Sequence, residues 1–293
     1  MATSARSAWL ERRVIAFAHQ GGAHEGPSST LFAIERAIAE GATAIELDVH
    51  ATSDRQIVVC HDETVDRTTN HVGSIANLTL EDLREMDNAF WWAPGEAVSP
   101  GLDDGAYPHR AKAPGDRRFG VATLEEVVRA FPGVLLNLDI KRTAPEVEPY
   151  EQLLYDQLRE LERCDSVIVA SFHDSAIQAF RALAPDVATS GATGETATFY
   201  FSVIEGSPVA PEAVALQVPA TFGDVTVVDE RFVEAAHASS LAVHVWTIND
   251  VDEMERLLDM GIDGIISDTP TPLVALLRDR GIAWDGALAR SGR

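Results

Sequence analysis

Eight short β-branched runs alternate with amphipathic helical stretches over most of the chain, and this rhythm leaves few folds open. The strand-like runs are residues 14–19, 43–50, 134–141, 167–171, 187–191, 213–218, 242–247 and 264–267. Helical periodicity follows at 31–40, 124–130, 151–163, 175–183, 230–239, 251–260 and 272–279, and the unit that opens at Val187 has the weakest helical signal. A strand that crosses over through a helix returns parallel to its predecessor, so the pattern predicts a parallel sheet wrapped in helices. Eight such units in 293 residues match the size of a single (β/α)8 TIM barrel, an α/β fold.

Two stretches break the alternation. Residues 57–61 form a further strand-like run too close to Val49 for a helical crossover, which predicts an antiparallel hairpin after the second strand. A turn centred on Asp54 and Arg55 sets Asp48 opposite His61; tight primed turns prefer Gly where Arg55 stands, which leaves room for a one-residue slip. Residues 63–120 then read as an insertion capping the barrel mouth, helical only at 80–87. Its tract 89–114 is turn-rich, with Trp91, Trp92 and Tyr107, and reads either as a lid or as an ordered loop.

Charge narrows the partners. With 46 acidic against 23 basic residues the formal net charge is −23, a field that repels nucleic-acid backbones and anionic lipid surfaces. No apolar run approaches the roughly 20 residues that span a bilayer. Residues 1–13 carry Arg6, Arg12 and Arg13 with no apolar stretch behind them, so a cytoplasmic location is expected. Cys60 and Cys164 lack CxxC spacing and read as packing residues, not as a disulfide or zinc framework.

In a barrel, alternate side chains point inward, and the C-terminal strand ends face the mouth where chemistry occurs. In residues 44–50, Ile45, Leu47 and Val49 fit the helix-facing side, leaving Glu46, Asp48 and His50 inside. The same parity groups Asn137, Asp139 and Lys141 on the next strand, so three carboxylates converge. Buried carboxylates must be protonated, paired or bound to a cation. An all-oxygen set suits a hard divalent ion, Mg2+ or Ca2+ with Mn2+ a further candidate, while an ion-pair network through Lys141 and nearby arginines is the other reading. His19 ends the first strand and His61 ends the hairpin, so both face the acidic cluster as candidate general acid and base.

These residues fall in sequence blocks that resemble the glycerophosphodiester phosphodiesterases. The blocks are AHQGG at 18–22, GATAIELDVH at 41–50, VVCHD at 58–62, DRTTN at 66–70, TLEEV at 123–127, NLDIK at 137–141, ASF at 170–172, VWTIND at 245–250 and GIDGIISDTP at 261–270. The resemblance spans residues 14–280 and implies a (β/α)8 barrel that hydrolyses glycerophosphodiesters with a divalent metal. It implies Glu46, Asp48 and Asp139 as metal ligands, Asp139 standing where the family usually has Glu. It also implies His19 and His61 as the catalytic pair, Lys141 as a basic residue at the substrate mouth, and Trp246 on the alcohol side of the pocket, although a core role suits a Trp equally.

Two departures accompany the resemblance. Gln20 stands where the family commonly has an Arg that contacts phosphate, so it offers the substrate only neutral hydrogen bonds. Ser28-Ser29-Thr30 replaces the usual Glu-Asn-Thr, which takes a carboxylate from the mouth; its hydroxyls suit a helix N-cap, and Glu25 upstream reads either as a substitute for that carboxylate or as a solvated loop acid. The expected reaction yields sn-glycerol 3-phosphate and an alcohol, with His19 as base and His61 as acid. A lysophospholipase D-type substrate, with an apolar groove made by Phe90, Trp91, Trp92, Tyr200 and Phe201, is one alternative. A non-catalytic polyol-phosphate binding barrel is the other.

Overall fold

The computed structural model describes Trp9, residues 14–141 and residues 150–283. The arginines of the N-terminal stretch lie outside the described residues. The strands β1 (Ile15–His19), β2 (Ala44–Ala51), β3 (Leu135–Ile140), β4 (Val167–Ala170), β5 (Ala188–Thr189), β6 (Ala215–Pro219), β7 (Ala242–Trp246) and β8 (Gly264–Ser267) pair in parallel in the order β5-β4-β3-β2-β1-β8-β7-β6. A bridge between Ser190 and Ala215 closes the ring. Around it lie α1 (Leu31–Glu40), α2 (Leu124–Ala130), α3 (Tyr150–Glu160), α4 (Asp174–Leu183), α5 (Thr193–Ile204), α6 (Glu230–Ala238), α7 (Val251–Asp259) and α8 (Pro270–Asp279). The unit with the weakest periodicity thus forms a full helix, α5, and Glu195 in its first turn accepts from the backbone N–H of Ala192 at 3.0 Å.

The parity read from the sequence holds in space. Ile45, Leu47 and Val49 are fully buried with Leu136, Leu138 and Ile140 of β3 and with Ile34 and Ala37 of α1, in one cluster between sheet and helices. Truncating one of these side chains to Ala costs about 2–5 kcal/mol. Their alternates Glu46, Asp48 and His50 therefore face the barrel interior. Local caps fix the helices that carry the loops. Thr30, last of the three hydroxyl residues, caps α1 by accepting from Ala33 N at 3.2 Å. Thr123 and Glu126 form a reciprocal capping box on α2, at 2.9 and 3.0 Å.

The hairpin forms, but in the slipped register. Val49 pairs with Val59 and His50 with Val58, which puts Cys60 opposite Asp48, and Cys60 N donates to Asp48 O at 3.0 Å. The cause is a loop one residue longer than expected. Thr52 N donates to Gln56 O at 3.0 Å, and Arg55 adopts the left-handed region at φ 65°, as in a three-residue hairpin loop. Asp54 holds that loop by accepting from Thr52 Oγ1 at 2.6 Å and from Leu80 N at 3.0 Å.

Residues 63–120 contain a short helix, Leu80–Arg84, and a small antiparallel pair, Trp92–Ala93 with Ala97–Val98. The segment is fastened to the loop between β1 and α1. Trp92 Nε1 donates to Ala23 O at 2.8 Å, Asn88 Nδ2 to Ser28 O at 3.2 Å and Gly95 N to His24 O at 2.9 Å. Arg110 lies 3.6 Å from the centre of the Tyr107 ring and also covers Phe90 and Trp91. Trp92 and Tyr107 are buried, so the aromatic tract is an ordered, packed loop. Among the described residues no helix is long and apolar enough to cross a membrane.

Candidate active site

The C-terminal ends of β1, β2 and β3 bring the acidic and imidazole groups together. His19 is the register partner of Glu46, and Asp48 is that of Asp139. Glu46, Asp48 and Asp139 are all buried. Lys141 Nζ lies 2.8 Å from Asp48 Oδ1 and 2.8 Å from Asp139 Oδ2, bridging two of the three carboxylates. Burial works against the charge on Lys141, but these two anions win and raise its affinity for the proton. Burial, then the charge of Asp48, pushes Glu46 up to about 8. Asp139 also rises, chiefly through burial, with Lys141 opposing the shift.

Both candidate histidines have Nδ1 pinned by a carboxylate, the arrangement that fixes ring orientation and leaves Nε2 for chemistry. His19 Nδ1 donates to Asp268 Oδ1 at 2.6 Å, and its Nε2 lies 3.7 Å from Glu46 Oε2. Burial alone would lower the pKa of His19. The hydrogen bond to Asp268 and the charges of Glu46, Asp268 and Asp48 outweigh it and push the group up to about 9. His61 Nδ1 donates to Asp62 Oδ1 at 2.7 Å, and Arg67 grips the same carboxylate at 2.6 and 3.0 Å. The His61 hydrogen bond and then Arg67 hold Asp62 well below the usual carboxylate range, against the effect of burial. Behind the hairpin, the buried His50 ring reaches the carbonyl of His61 at 3.4 Å, and burial lowers its pKa.

Gln20 enters the left-handed region at φ 52° and is buried beside His19. Its N–H donates to Glu46 O at 2.9 Å, and its amide Nε2 lies 3.3 Å from His19 Nε2. Gly22 follows at φ 90°, where a Cβ would come within 2.9 Å of Pro270, so only glycine lets this loop meet the start of α8. Glu25 is not a solvated loop acid. It pairs with Arg36 at 2.6 Å and accepts from Thr271 Oγ1 at 2.8 Å, which ties the β1–α1 loop to α8.

Trp246 is half-buried at the end of β7, and its ring meets that of the exposed Phe172 edge-on at 5.6 Å. It therefore packs on the barrel interior and faces the mouth at once. Lys141 Nζ lies 5.6 Å from the Phe172 ring, which places this aromatic pair beside the carboxylate cluster. Of the aromatics expected to form an apolar groove, Phe90 and Trp91 hold Arg110, Trp92 anchors to Ala23, and Tyr200 packs edge-on against Phe201 at 5.5 Å.

Sequence reasoning missed Asp268, Asn249, Phe172 and the Asp62–Arg67 pair as parts of the site. Asp268 stands one residue beyond β8, the neighbour of β1, so strand order is the signal that exposes it. Asn249 orients it, donating to Asp268 Oδ2 at 2.9 Å and accepting from Asp268 N at 2.8 Å.

The same carboxylates offer oxygens to a cation. Asp48 Oδ2 and Asp139 Oδ1 are buried without a hydrogen-bond partner among the described residues, and with Glu46 they make the all-oxygen set that hard divalent ions take. The set fits such an ion by its chemistry. As described, Lys141 supplies the compensating charge, and among the described residues no three histidine, cysteine or carboxylate side chains stand as a ready coordination sphere. A cavity of about 580 Å3 lies elsewhere, at the opposite end of the barrel among Ile38, Phe131, Pro132, Val274 and Arg278, and shares no residue with this cluster.

Residues 19–271 match the Glycerophosphoryl diester phosphodiesterase family, nearly the whole span of the barrel. The chain belongs to that family. A glycerophosphodiester phosphodiesterase of Caldanaerobacter subterraneus is 28% identical over 271 residues, which cover 92% of this chain and 100% of the relative. A Mycobacterium tuberculosis chain named probable glycerophosphodiester phosphodiesterase 2 is 30% identical over 93% of this chain and 94% of its own length. In the fold, an Oleispira antarctica phosphodiesterase in complex with the product sn-glycerol-3-phosphate superposes with a TM-score of 0.67 at 21% identity, covering 92% of this chain and 99% of that one. As a family member this barrel places His19, Glu46, Asp48, His61, Asp139 and Lys141 at one mouth, whereas residues 1–13 fall outside the matched span.

Proposed function

We propose that this chain hydrolyses glycerophosphodiesters to sn-glycerol 3-phosphate and an alcohol, with His19 and His61 exchanging the protons and a divalent cation held by Glu46, Asp48 and Asp139. The observation that carries the reading is the pair of imidazoles, each oriented by its own carboxylate, beside a buried three-carboxylate set. Family membership and the product complex of the Oleispira antarctica phosphodiesterase support the substrate class. Once bound, a hard divalent ion supplies positive charge against the phosphoryl oxygens as the pentacoordinate phosphorus forms.

The chain's own groups do the rest. One imidazole takes the proton of the attacking oxygen: attack by water gives sn-glycerol 3-phosphate directly, whereas attack by a neighbouring glycerol hydroxyl gives a cyclic phosphodiester that water then opens to the same monoester. The P–O bond to the alcohol breaks, and the other imidazole gives its proton to the departing oxygen. Asp268 and Asp62 keep both rings turned for transfer through Nε2. Lys141 contributes fixed positive charge at the phosphate side. Phe172 and Trp246 offer an apolar wall for the alcohol.

A panel of glycerophosphodiesters, assayed for sn-glycerol 3-phosphate with Mg2+, Ca2+ or Mn2+ and after exhaustive chelation, tests this directly. The expected result is turnover with one of the ions and its loss on chelation. Full activity after chelation rejects the cation, and tight binding without turnover of any member rejects the enzyme in favour of a binding barrel.

A further inference from the structure

Besides His19 and His61, the mouth carries an imidazole that no role yet uses. His24 sits in the loop after β1 with its backbone held from two sides: its N–H donates to Asp268 O at 3.2 Å, and its carbonyl accepts from Gly95 N at 2.9 Å. The side chain is about one-third exposed, and Nε2 lies 3.9 Å from Asp268 Oδ2, too long for a hydrogen bond. Asp268 is the carboxylate that orients His19. The imidazole therefore stands beside the carboxylate that orients His19, nearer its other oxygen.

Charge at the mouth gives this group its use. Glu46, Asp48, Asp139, Asp62 and Asp268 crowd the opening, while Lys141 is committed to Asp48 and Asp139, Arg67 to Asp62 and Arg36 to Glu25. The residue after His19 is the neutral Gln20, whose amide turns to His19. Each of these three cations already pairs with a carboxylate, so a rim imidazole whose side chain makes no hydrogen bond among the described residues is open to a phosphodiester anion. We propose that His24 is a substrate-binding residue whose Nε2–H donates to a non-bridging phosphate oxygen. This rests on the glycerophosphodiesterase reading above.

Steady-state kinetics and calorimetric titration with sn-glycerol 3-phosphate and with inorganic phosphate, on the full chain and its His24→Ala, His24→Phe and His24→Arg variants, test it. The loss of one donor to a charged group predicts KM and both Kd values raised about tenfold in the Ala and Phe variants, with kcat within twofold, and recovery to within about threefold in the Arg variant. His24→Phe keeps the ring volume should the Ala variant fold poorly. Unchanged Kd values in His24→Phe overturn the proposal. A fall in kcat at constant Kd overturns it as well, because His24 then acts through Asp268 on His19. If the wild-type chain turns over no glycerophosphodiester, the proposed function fails by itself, and inorganic phosphate binding still decides the role of His24.

Discussion

From β8 round to β3 the barrel mouth is built of carboxylates, imidazoles and an ammonium; from β4 to β7 it is built of Phe172, Trp246 and the exposed Phe222 hairpin tip. The polar arc is locked by short contacts, each of its cations spent on an anion. The aromatic arc is held by ring packing and leaves Phe172 54% exposed. Groups that must be placed to within a fraction of an ångström sit where strand register and paired carboxylates fix them, and the aromatic groups sit where ring packing leaves more surface open. On the function proposed above, bond-making falls to one arc and recognition of the alcohol to the other.

The sharpest test sets the arcs against each other. His19→Asn or His61→Asn is expected to lower kcat by about 10²–10⁴, the range for a lost general acid or base, with KM little changed. Phe172→Ala is expected to leave kcat within a few-fold and to raise KM about tenfold for substrates with an apolar or quaternary-ammonium alcohol. Equal effects on kcat from both arcs would erase the distinction drawn between them.

The next test concerns the lock itself. Lys141→Met leaves Asp48 and Asp139 buried without their shared cation, a loss of about 3–5 kcal/mol for a broken buried pair. Denaturant unfolding in the presence of a chelator measures it. Added Mg2+ or Ca2+ is expected to raise the Tm of the variant more than that of the wild type, because the ion no longer competes with the ammonium and stabilises the folded site by mass action. A variant whose Tm ignores both ions would show that the carboxylates serve Lys141 alone.

How far this division was legible in the sequence depends on whether a contact is carried by strand parity or by loop geometry. The barrel, the inward stripe of Glu46, Asp48 and His50, and the convergence of these carboxylates with Asp139 follow from alternation, which the chain spells out residue by residue. The hairpin register did not follow, since one left-handed residue at Arg55 lengthens the loop and shifts every pair by one. Asp268 escaped notice because its partner His19 is 249 residues away and only the closure of β8 on β1 brings them together. Glu25 was misjudged for the same reason, its partner Thr271 lying on a helix at the far end of the chain.

The smallest expected effect lies where the two arcs meet under the mouth. Asn137 Nδ2 on β3 donates to Gln217 Oε1 at 3.1 Å, and Gln217 Nε2 lies 3.3 Å from His244 Nδ1 on β7, a neutral chain crossing from the polar to the aromatic side. Burial lowers His244 to about 4 from the usual 6.5, with the charge of Asp263 opposing the shift, so the folded state keeps this ring neutral where the unfolded chain protonates it. Below pH 6.5 the unfolded state binds the extra proton, and stability falls until the pH passes 4. That costs about 1.4 kcal/mol between pH 7.5 and 5.5. Urea unfolding of wild type and His244→Leu at the two pH values isolates the contribution, since the carboxylates titrate in both. A wild-type loss that exceeds the variant's by about this amount shows a floor that must stay uncharged beneath a charged rim; parallel losses would mean that His244 takes up its proton in the fold, and that the charged arc extends through the barrel to β7.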